Sequence, residues 1–214
     1  RDFCLSRGLG DVYKRQLAPI VVLDSWFEEM TFDAVLISNT DSVCNAVKYL
    51  INKGHKRIGY LRGNIRIKNF FYRDMGYQRA LSGAGLPVEQ KYTFSLTPTM
   101  EGAYEDMKNL LRQQPELPTA FFADNDIIAL GAMRALQECG YKVPGDVSVI
   151  GFDDLPFGMI SYPALTTIRV HKQEMGRTAV RRLIEIMKNN TGVKTKVQVC
   201  NTFVERDSVR DLNA

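Results

Sequence analysis

The chain has 214 residues, of which 45% are hydrophobic and 24% charged, and 28 basic against 24 acidic residues leave a formal net charge of +4. Because the basic residues are spread along the chain, we expect no nucleic-acid binding by these residues. No apolar run approaches the roughly 18 residues that a membrane helix requires, so we expect no integral membrane protein. The four cysteines form no CxxC pair, which predicts reduced thiols and fits a cytoplasmic location.

The first 16 residues differ from the rest of the chain. They show neither strand-like alternation nor a helical period, and they carry few apolar residues. The segment 11–16, DVYKRQ, resembles the translation of a transposon-end adapter used in preparing sequencing libraries. We therefore expect 1–16 to be a non-native leader and the native frame to begin near Leu17, with a disordered native tail as the alternative.

Beyond Leu17, short apolar runs alternate with longer amphipathic stretches, which predicts strands and helices in alternation. Several of the apolar runs, such as AFFA and VSVIGF, do not alternate between apolar and polar residues, which is typical of strands covered by helices on both faces. The βα order predicts an α/β fold with mainly parallel sheets. The predicted strands are 20–23, 34–37, 57–61, 92–96, 119–123, 147–152, 165–170 and 196–202.

Helix boundaries are indicated by capping residues, glycines and prolines. Asp41 can cap a helix over 42–53, which Gly54 ends, and any of the three residues 124–126 can cap a helix that runs to Cys139. The other predicted helices are 75–84, 101–113 and 173–188. On the last of these, Leu183, Ile184 and Met187 are expected to be buried, and the basic residues Arg177, Arg181, Arg182 and Lys188 to form a solvated face.

The sequence contains none of the common catalytic or cofactor-binding motifs that we looked for. It contains no nucleophile elbow, no P-loop and no dinucleotide-binding glycine motif. His55 and His171 are the only histidines, and neither stands near a serine or cysteine in a nucleophile setting. His55 follows the helix-ending Gly54 and is interpreted as a surface or helix-cap residue. We expect no catalytic residue, no metal and no cofactor.

Polar residues follow three of the predicted strands. Asp24 follows the first strand, Asp124-Asn125-Asp126 follows AFFA, and Asp153-Asp154 follows VSVIGF. Taken one at a time, each is best explained as a helix cap or a turn former. Three such sites on strand ends together indicate a ligand site, because open parallel sheets bind ligands at the carboxyl ends of their strands.

Seven segments in order make the sequence resemble the effector-binding region of the LacI/GalR family of bacterial transcriptional regulators. The resemblance runs from about Pro19 to Arg210. It implies the two-lobed fold of type I periplasmic sugar-binding proteins. The segments are KGHKRIGYL (53–61), RDMGYQRAL (73–81), LPTAFFADNDIIALGAMRAL (117–136), VPGDVSVIGFDD (143–154), PALTTI (163–168), EMGRTAV (174–180) and VERDS (204–208).

The resemblance implies an effector-binding role for five residues. They are Arg73 in RDMGY, Asn125 in ADND, Asp153 in GFDD, Asp24 after the first strand and, as a more variable position, Asn69. Arginine offers paired hydrogen-bond donors, aspartate offers paired acceptors, and asparagine offers one of each. These groups suit a ligand with vicinal hydroxyls or a carboxylate. Trp26 and Phe27 could stack on a ligand, although a packing role is favoured.

This sequence also departs from the family pattern. Where many members have Gln or Pro after the TTI strand, this chain has Val170 and His171, which leaves the effector's identity open. The family's DNA-binding headpiece and several units of its first lobe have no counterpart here. We expect a partial N-terminal lobe over 17–55 and 164–192, and a C-terminal lobe over 56–163 and 193–210.

The resemblance implies a cytoplasmic sensor of a small polar effector, a sugar or sugar derivative. The intact parent is expected to be a homodimer that binds operator DNA only through the headpiece. The alternatives are a periplasmic sugar-binding protein of a transporter, with the same fold, and an α/β enzyme that uses the strand-end carboxylates. The GHKRIGYL, ADND and VERDS segments favour the regulator over the transporter protein.

Overall fold

The computed structural model describes residues 18–25, 32–189 and 191–214. The leader 1–16, Leu17, Trp26 and Phe27 therefore lie outside the described residues. The described strands are β1 (Val21–Leu23), β2 (Asp33–Ile37), β3 (Ile58–Gly63), β4 (Thr93–Leu96), β5 (Ala120–Ala123), β6 (Ser148–Ile150), β7 (Thr167–Arg169), β8 (Lys196–Val199) and β9 (Thr202–Val204). The described helices are α1 (Asn39–Asn52), α2 (Lys68–Gly83), α3 (Met100–Leu111), α4 (Asp126–Glu138), α5 (Pro156–Ile160) and α6 (Lys172–Lys188), with a 3₁₀ turn at Gln90–Tyr92.

These elements form two compact units. Of the described residues, those up to Ile37 and those in His171–Val199 form one unit, and those in Ser38–Val170 and Cys200–Ala214 form the other. We call them the first and the second unit. The chain therefore passes from the second unit to the first after Val170 and returns after Val199.

The second unit contains a four-stranded parallel sheet in the order β4-β3-β5-β6. The uniform apolar pattern of AFFA arises because β5 is central in this sheet and all four of its residues are buried. Helices α1 and α2 pack together, as do α3 and α4. Gly76 allows the first pairing, because a Cβ atom at this position would collide with the carbonyl oxygen of Thr40. The predicted α/β fold with mainly parallel sheets is confirmed.

The first unit contains the parallel sheet β1-β2-β8, against which α6 packs. Asp33, at the start of β2, is fully buried and joins three segments of this unit. Its Oδ1 accepts hydrogen bonds from Nε of Arg182 on α6 at 2.7 Å and from the backbone N–H and the hydroxyl of Thr195, at 2.9 and 2.8 Å. Arg182 is therefore a structural anchor of this unit, and the expectation that it belongs to a solvated basic face is wrong.

The structure places the boundaries between the units differently from the sequence expectation. The helix α1 lies in the second unit, whereas 17–55 was expected in the first lobe. Strand β8 pairs with β2 of the first unit, whereas 193–210 was expected in the C-terminal lobe. The expected last strand over 196–202 is in fact two strands. β8 pairs with β2, and β9 pairs antiparallel with β7.

Four local expectations also differ from the structure. The helix α2 begins at Lys68 rather than at residue 75, and Ser38 rather than Asp41 precedes the first turn of α1. His55 is fully buried rather than at the surface. On α6, Met175 and Ile186 are buried, whereas Ile184 and Met187 are exposed.

Among the described residues, no helix has both the length and the apolar character needed to span a bilayer.

Candidate functional site

Arg73 lies at the centre of the candidate site, on the buried face of α2. The buried residues of this helix follow a helical period, and Arg73 occupies one of the positions where an apolar residue would be expected. A buried guanidinium needs partners for its donors. Its Nε donates to Oδ1 of Asn39 at 2.9 Å, and its Nη1 donates to the carbonyl oxygen of Asp124. Its planar group lies 3.7 Å from the centre of the Phe152 ring. Arg73 is therefore held rigidly within the second unit.

Asn39 and Asn69 extend this cluster. Asn39 is the first residue of α1 and is buried. Its amide nitrogen donates to Oδ1 of Asn69 at 3.0 Å, so one asparagine orients both Arg73 and Asn69. Asn69 was predicted as a low-ranking site residue, and the structure places it beside Arg73 through this bridge. Asn39 was not predicted, because the helix was expected to begin only at residue 42 and no sequence motif includes Asn39.

Asp124, at the end of β5, is fully buried and supports the strand ends. Its carboxylate accepts hydrogen bonds from the hydroxyl of Tyr60 at 2.6 Å and from the N–H of Gly63 at 2.7 Å. Burial raises the pKa of Asp124 to about 6, although these hydrogen bonds and the charge of Arg73 act in the opposite direction. Because both of its oxygens are engaged by protein groups, Asp124 connects β3 to β5.

Asn125 caps the helix α4, and it is one of the three residues 124–126 that the sequence offered for this role. Its Oδ1 accepts a hydrogen bond from the N–H of Ile128 at 2.9 Å. Within the described part of the chain, its amide nitrogen has no hydrogen-bond partner, and the residue is partly exposed. Asn125 therefore has a structural role through its oxygen and retains an available donor on its nitrogen.

Asp153 and Asp154 form a turn after β6 in which both residues have positive φ, 106° and 50°. Asp153 is partly exposed, and its Oδ1 lies 3.5 Å from Nη2 of Arg73. Asp154 accepts hydrogen bonds from Nε of Arg169 and from Nη2 of Arg206, both at 2.6 Å. Burial alone would raise the pKa of Asp154, but the hydrogen bonds from the two arginines hold it below its usual range. Consecutive carboxylates thus contact different groups of the second unit.

Asp126 fixes the backbone after this turn. In the sequence it was considered as a possible helix cap and as one of the polar residues that follow the strand AFFA. Its Oδ2 accepts from the N–H of Leu155 at 2.7 Å and its Oδ1 from the hydroxyl of Thr167 at 2.6 Å. Burial raises the pKa of Asp126 to about 6, and the nearby carboxylates of Asp153 and Asp154 add to this rise. A Cβ atom at position 151 would collide with Oδ1 of Asp126, so glycine is required in the motif GFDD.

The structure brings four of the five predicted site residues into the second unit. Arg73 contacts Asp153 directly and is linked to Asn69 through Asn39, and Asn125 directly follows the carbonyl that Arg73 binds. Asp24 belongs to the first unit, where it is exposed after β1 with a φ of 56°, and its N–H donates to the carbonyl of Val35 at 2.8 Å.

An open cleft of about 370 Å³ lies at the start of α2. Its wall includes the charged residues Arg62 and Asp74, which are joined at 2.8 Å, and the apolar side chains of Ile67 and Phe71. Phe70 also lines this cleft, and its ring centre lies 5.7 Å from the guanidinium of Arg73. The cleft and the Arg73 cluster therefore share one side chain.

Comparisons with known proteins agree with this geometry. The model of the periplasmic binding protein-like domain matches residues 47–209. The chain is 35% identical over 200 residues to the HTH-type transcriptional repressor CytR of Escherichia coli strain K12, covering 93% of this chain and 58% of CytR. It therefore spans less than two thirds of the length of this curated relative.

Two solved structures show the same fold. A sugar-binding transcriptional regulator of the LacI family from Escherichia coli, in complex with phosphate, has a TM-score of 0.82 and 30% identity, over 94% of this chain and 72% of that one. A LacI family transcriptional regulator from Enterococcus faecium with bound ribose has a TM-score of 0.83 and 28% identity, over 95% of this chain and 75% of that one. The chain thus belongs to the LacI family of transcriptional regulators, and within it to the periplasmic-binding-protein-like region.

Proposed function

We propose that this chain is the effector-sensing region of a cytoplasmic, DNA-binding transcriptional regulator. It binds a small polar ligand, a sugar or sugar derivative, and catalyses no reaction. The observation that carries the proposal is the arrangement around Arg73, in which a buried guanidinium is held by Asn39 and the Asp124 carbonyl and faces Asp153. Such an arrangement keeps polar groups in place before a ligand arrives, which lowers the cost of binding.

The chemistry of the cluster favours a ligand with neighbouring hydroxyl groups. The carboxylate of Asp153 can accept two hydrogen bonds from vicinal hydroxyls, and the amide nitrogen of Asn125 can donate to a hydroxyl or ring oxygen. The relative from Enterococcus faecium carries ribose, which supports a pentose as the first ligand to test. Asp24 and, as the more variable position, Asn69 remain candidate contacts.

The alternative of an α/β enzyme is weaker. Of the carboxylates at the strand ends, Asp124 and Asp126 are fully buried, and all four of their oxygens accept hydrogen bonds from protein groups. A general acid or base must reach the substrate directly or through one water. The transporter alternative has the same fold, but the relatives described above are transcriptional regulators.

We further propose that the intact regulator is a homodimer that contacts operator DNA through a separate headpiece. Four large side chains in and after α5 are exposed and close together in sequence, and Tyr162 is 92% exposed. Exposed large apolar side chains this close together in sequence support an interface with a second copy. These residues are Phe157, Met159, Ile160 and Tyr162. Loss of dimers in Ile160→Asp, measured by sedimentation of the full-length regulator, would support this surface, and an unchanged dimer would refute it.

Calorimetric titration of this chain with D-ribose, and then with a panel of other sugars, tests the proposed ligand class. For a sugar that binds, Asp153→Asn and Arg73→Ala should each weaken the affinity by about 100-fold, because each leaves a polar partner in the site unpaired. Unchanged affinity in both variants would refute the site assignment. If no sugar binds the unaltered chain, the ligand class itself is wrong.

Asn125 offers a matched pair of variants that separates its two roles. Asn125→Ser keeps an oxygen that can cap α4 but removes the amide donor, so stability should be preserved while affinity falls about tenfold. Asn125→Ala removes both the cap and the donor, and should also lower stability by about 1 kcal/mol. Equal affinity in Asn125→Ser and the unaltered chain would remove Asn125 from the binding site.

A further inference from the structure

The turn at Asp153-Asp154 connects the proposed binding site with the segments through which the chain passes between its units. Asp153 lies beside Arg73, whereas the next residue, Asp154, is bound by Arg169 and Arg206. Arg169 is the last residue of β7, directly before the chain leaves the second unit after Val170. Arg206 follows β9, on the segment by which the chain has returned at Cys200.

The two passing segments are joined to each other as well as to Asp154. Strands β7 and β9 pair antiparallel, with Arg169 opposite Thr202. Arg206 also donates through Nη1 to the carbonyl of Leu165 at 2.8 Å, and its backbone N–H donates to the hydroxyl of Thr166 at 3.0 Å. Asp154 is therefore bound to both segments at the place where they already contact each other.

The turn is held firmly on the side of Asp154. The two contacts of Asp154 with arginines measure 2.6 Å, and the side chains of Asp154 and Arg206 are 9% and 13% exposed. On the same side, Asp126 binds the N–H of Leu155, and the N–H of Asp153 donates to the carbonyl of Ile168 at 2.9 Å. On the other side of the turn, Oδ1 of Asp153 lies 3.5 Å from Nη2 of Arg73. A ligand that changes this contact acts on a turn whose opposite side is attached to β7 and β9.

On the basis of the proposed function, in which Asp153 contacts the effector, we propose that Asp154 is a positioning residue that couples Asp153 to β7 and β9. Asp154 holds the turn in its positive-φ conformation and passes a change at Asp153 to the two segments that connect the units. The two consecutive carboxylates thus have different roles. Asp153 contacts the ligand, and Asp154 binds the segments that connect the units.

Hydrogen exchange of the ligand-free chain, read by mass spectrometry, tests this coupling with a double-mutant cycle. Asp154→Asn should accelerate exchange in β7 and β9 about tenfold, because hydrogen bonds to a charged group are lost. Asp153→Asn alone should accelerate exchange in β7 and β9 about threefold, because it causes a smaller local opening. The double variant should exchange like Asp154→Asn, because the connection is already broken. Exchange in the central strand β5 should stay unchanged throughout.

Several outcomes would overturn the proposal. One is an unchanged exchange rate of β7 and β9 in Asp153→Asn. Another is a double variant whose acceleration equals the product of the two single accelerations. The third is an equal acceleration in β5, which would indicate general destabilisation. Asp154→Glu keeps the charge and should restore the rates of β7 and β9 to within about threefold of those of the unaltered chain. Asp106→Asn is a control with the same chemical change. Asp106 accepts a hydrogen bond from the backbone N–H of Thr97 at 2.7 Å, and its substitution should leave β7 and β9 unaffected.

If Asp154→Asn is too unstable to measure, Arg169→Gln replaces it in the cycle. Arg169 is 48% exposed, and its loss removes one of the two contacts of Asp154 without a large cavity. The double variant Asp153→Asn with Arg169→Gln should again exchange in β7 and β9 like Arg169→Gln alone. Because the cycle contains no ligand, failure of sugars to bind would overturn the proposed function alone, whereas additive effects would overturn the role of Asp154 alone.

Discussion

The two units are stabilised by different kinds of interaction. The second unit has a large apolar core in which Phe121, Phe122, Leu61 and Leu136 are fully buried. In the described part of the first unit, β2 is buried throughout, but β8 is mostly exposed and α6 buries only Met175 and Ile186. Here the connection between sheet and helix depends on the buried carboxylate of Asp33 and on Arg182.

This difference predicts different responses of the two units. Apolar burial is roughly proportional to area and does not depend on the protonation of any group. A buried ion pair stabilises only while both partners are present and charged, and removing one partner leaves the other charge uncompensated. We therefore expect the first unit to open at a lower free energy than the second, and to respond more strongly to acid.

A cavity in the second unit is the strongest way to test this comparison. Phe121 lies on β5 and its ring centre is 5.4 Å from that of Phe94. Phe121→Ala should lower the free energy of unfolding of the second unit by about 3–5 kcal/mol, through lost burial and the cavity left behind. Urea denaturation with a probe in the second unit measures this loss.

The control for this substitution is in the first unit. Val197→Ala on β8 removes two methyl groups from a side chain that is partly exposed, and should cost less than about 0.5 kcal/mol. If Phe121→Ala cost no more than Val197→Ala, the description of the second unit as the one with the apolar core would be wrong.

Removal of the Asp33 carboxylate should have the next largest effect. Asp33→Ala leaves Arg182 without its partner on β2 and Thr195 without an acceptor, at a cost of about 2–3 kcal/mol. Hydrogen exchange should accelerate in β2 and α6 while β5 is unchanged. Asp41→Ala breaks the exposed pair with Arg79 and should cost less than about 0.5 kcal/mol. Equal acceleration in β5 would show that the units do not open independently.

The acid response of Asp33 follows from its pKa. Burial alone would raise it, but hydrogen bonds from Thr195 and Arg182 lower the pKa of Asp33 below its ordinary value. A lowered pKa means that the carboxylate stabilises the folded state above the unfolded-state value near 4, and that this contribution is lost as the pH falls through the folded-state pKa. The difference between the unaltered chain and Asp33→Ala should therefore be constant from pH 8 to 5 and shrink below about pH 4.

Features with a local signal could be predicted from the sequence. The uniform apolar run of AFFA indicates a central parallel strand, and the carboxyl ends of such strands lie at one edge of the sheet. Asn125 was expected to be able to cap a helix, because asparagine before an apolar periodic segment has this property. Asp153 could be placed at a strand end because it directly follows the apolar run VSVIGF, whereas Arg73 was assigned to the site only through the resemblance to the LacI/GalR family.

Features that depend on distant partners could not be predicted. The helix α2 starts after Ile67, which offers no capping side chain, so the sequence contains no signal for its true beginning. Asp126 and Asp154 look like turn formers, and their partners Thr167 and Arg206 are 41 and 52 residues away. Arg182 looks like part of a solvated face because its partner Asp33 is 149 residues away.

His55 illustrates the same limit. Next to Gly54 it looks like a surface or helix-cap residue, but it is fully buried between two distant segments of the second unit. Its Nδ1 lies 2.9 Å from the hydroxyl of Thr119, and its Nε2 lies 3.0 Å from the carbonyl of Arg210. Burial lowers the pKa of His55, although the hydrogen bond to the Arg210 carbonyl acts in the opposite direction.

The pH dependence of His55 is the smallest effect expected here, and it tests whether the second unit is as independent of charge as its core suggests. A histidine whose pKa is lowered by folding favours the folded state in its neutral form. Its contribution is therefore complete above the unfolded-state pKa of about 6.5 and is lost as the pH falls below that value. The stability difference between the unaltered chain and His55→Gln should be largest at pH 7–8 and shrink towards pH 5.

Asp124 and Asp126, whose pKa values are raised to about 6, respond to pH in the opposite direction, but they are present in both proteins and cancel in the difference. Denaturant unfolding of both proteins at half-unit pH steps measures this difference, and a constant value from pH 8 to 5 would show that His55 makes no pH-dependent contribution to the second unit.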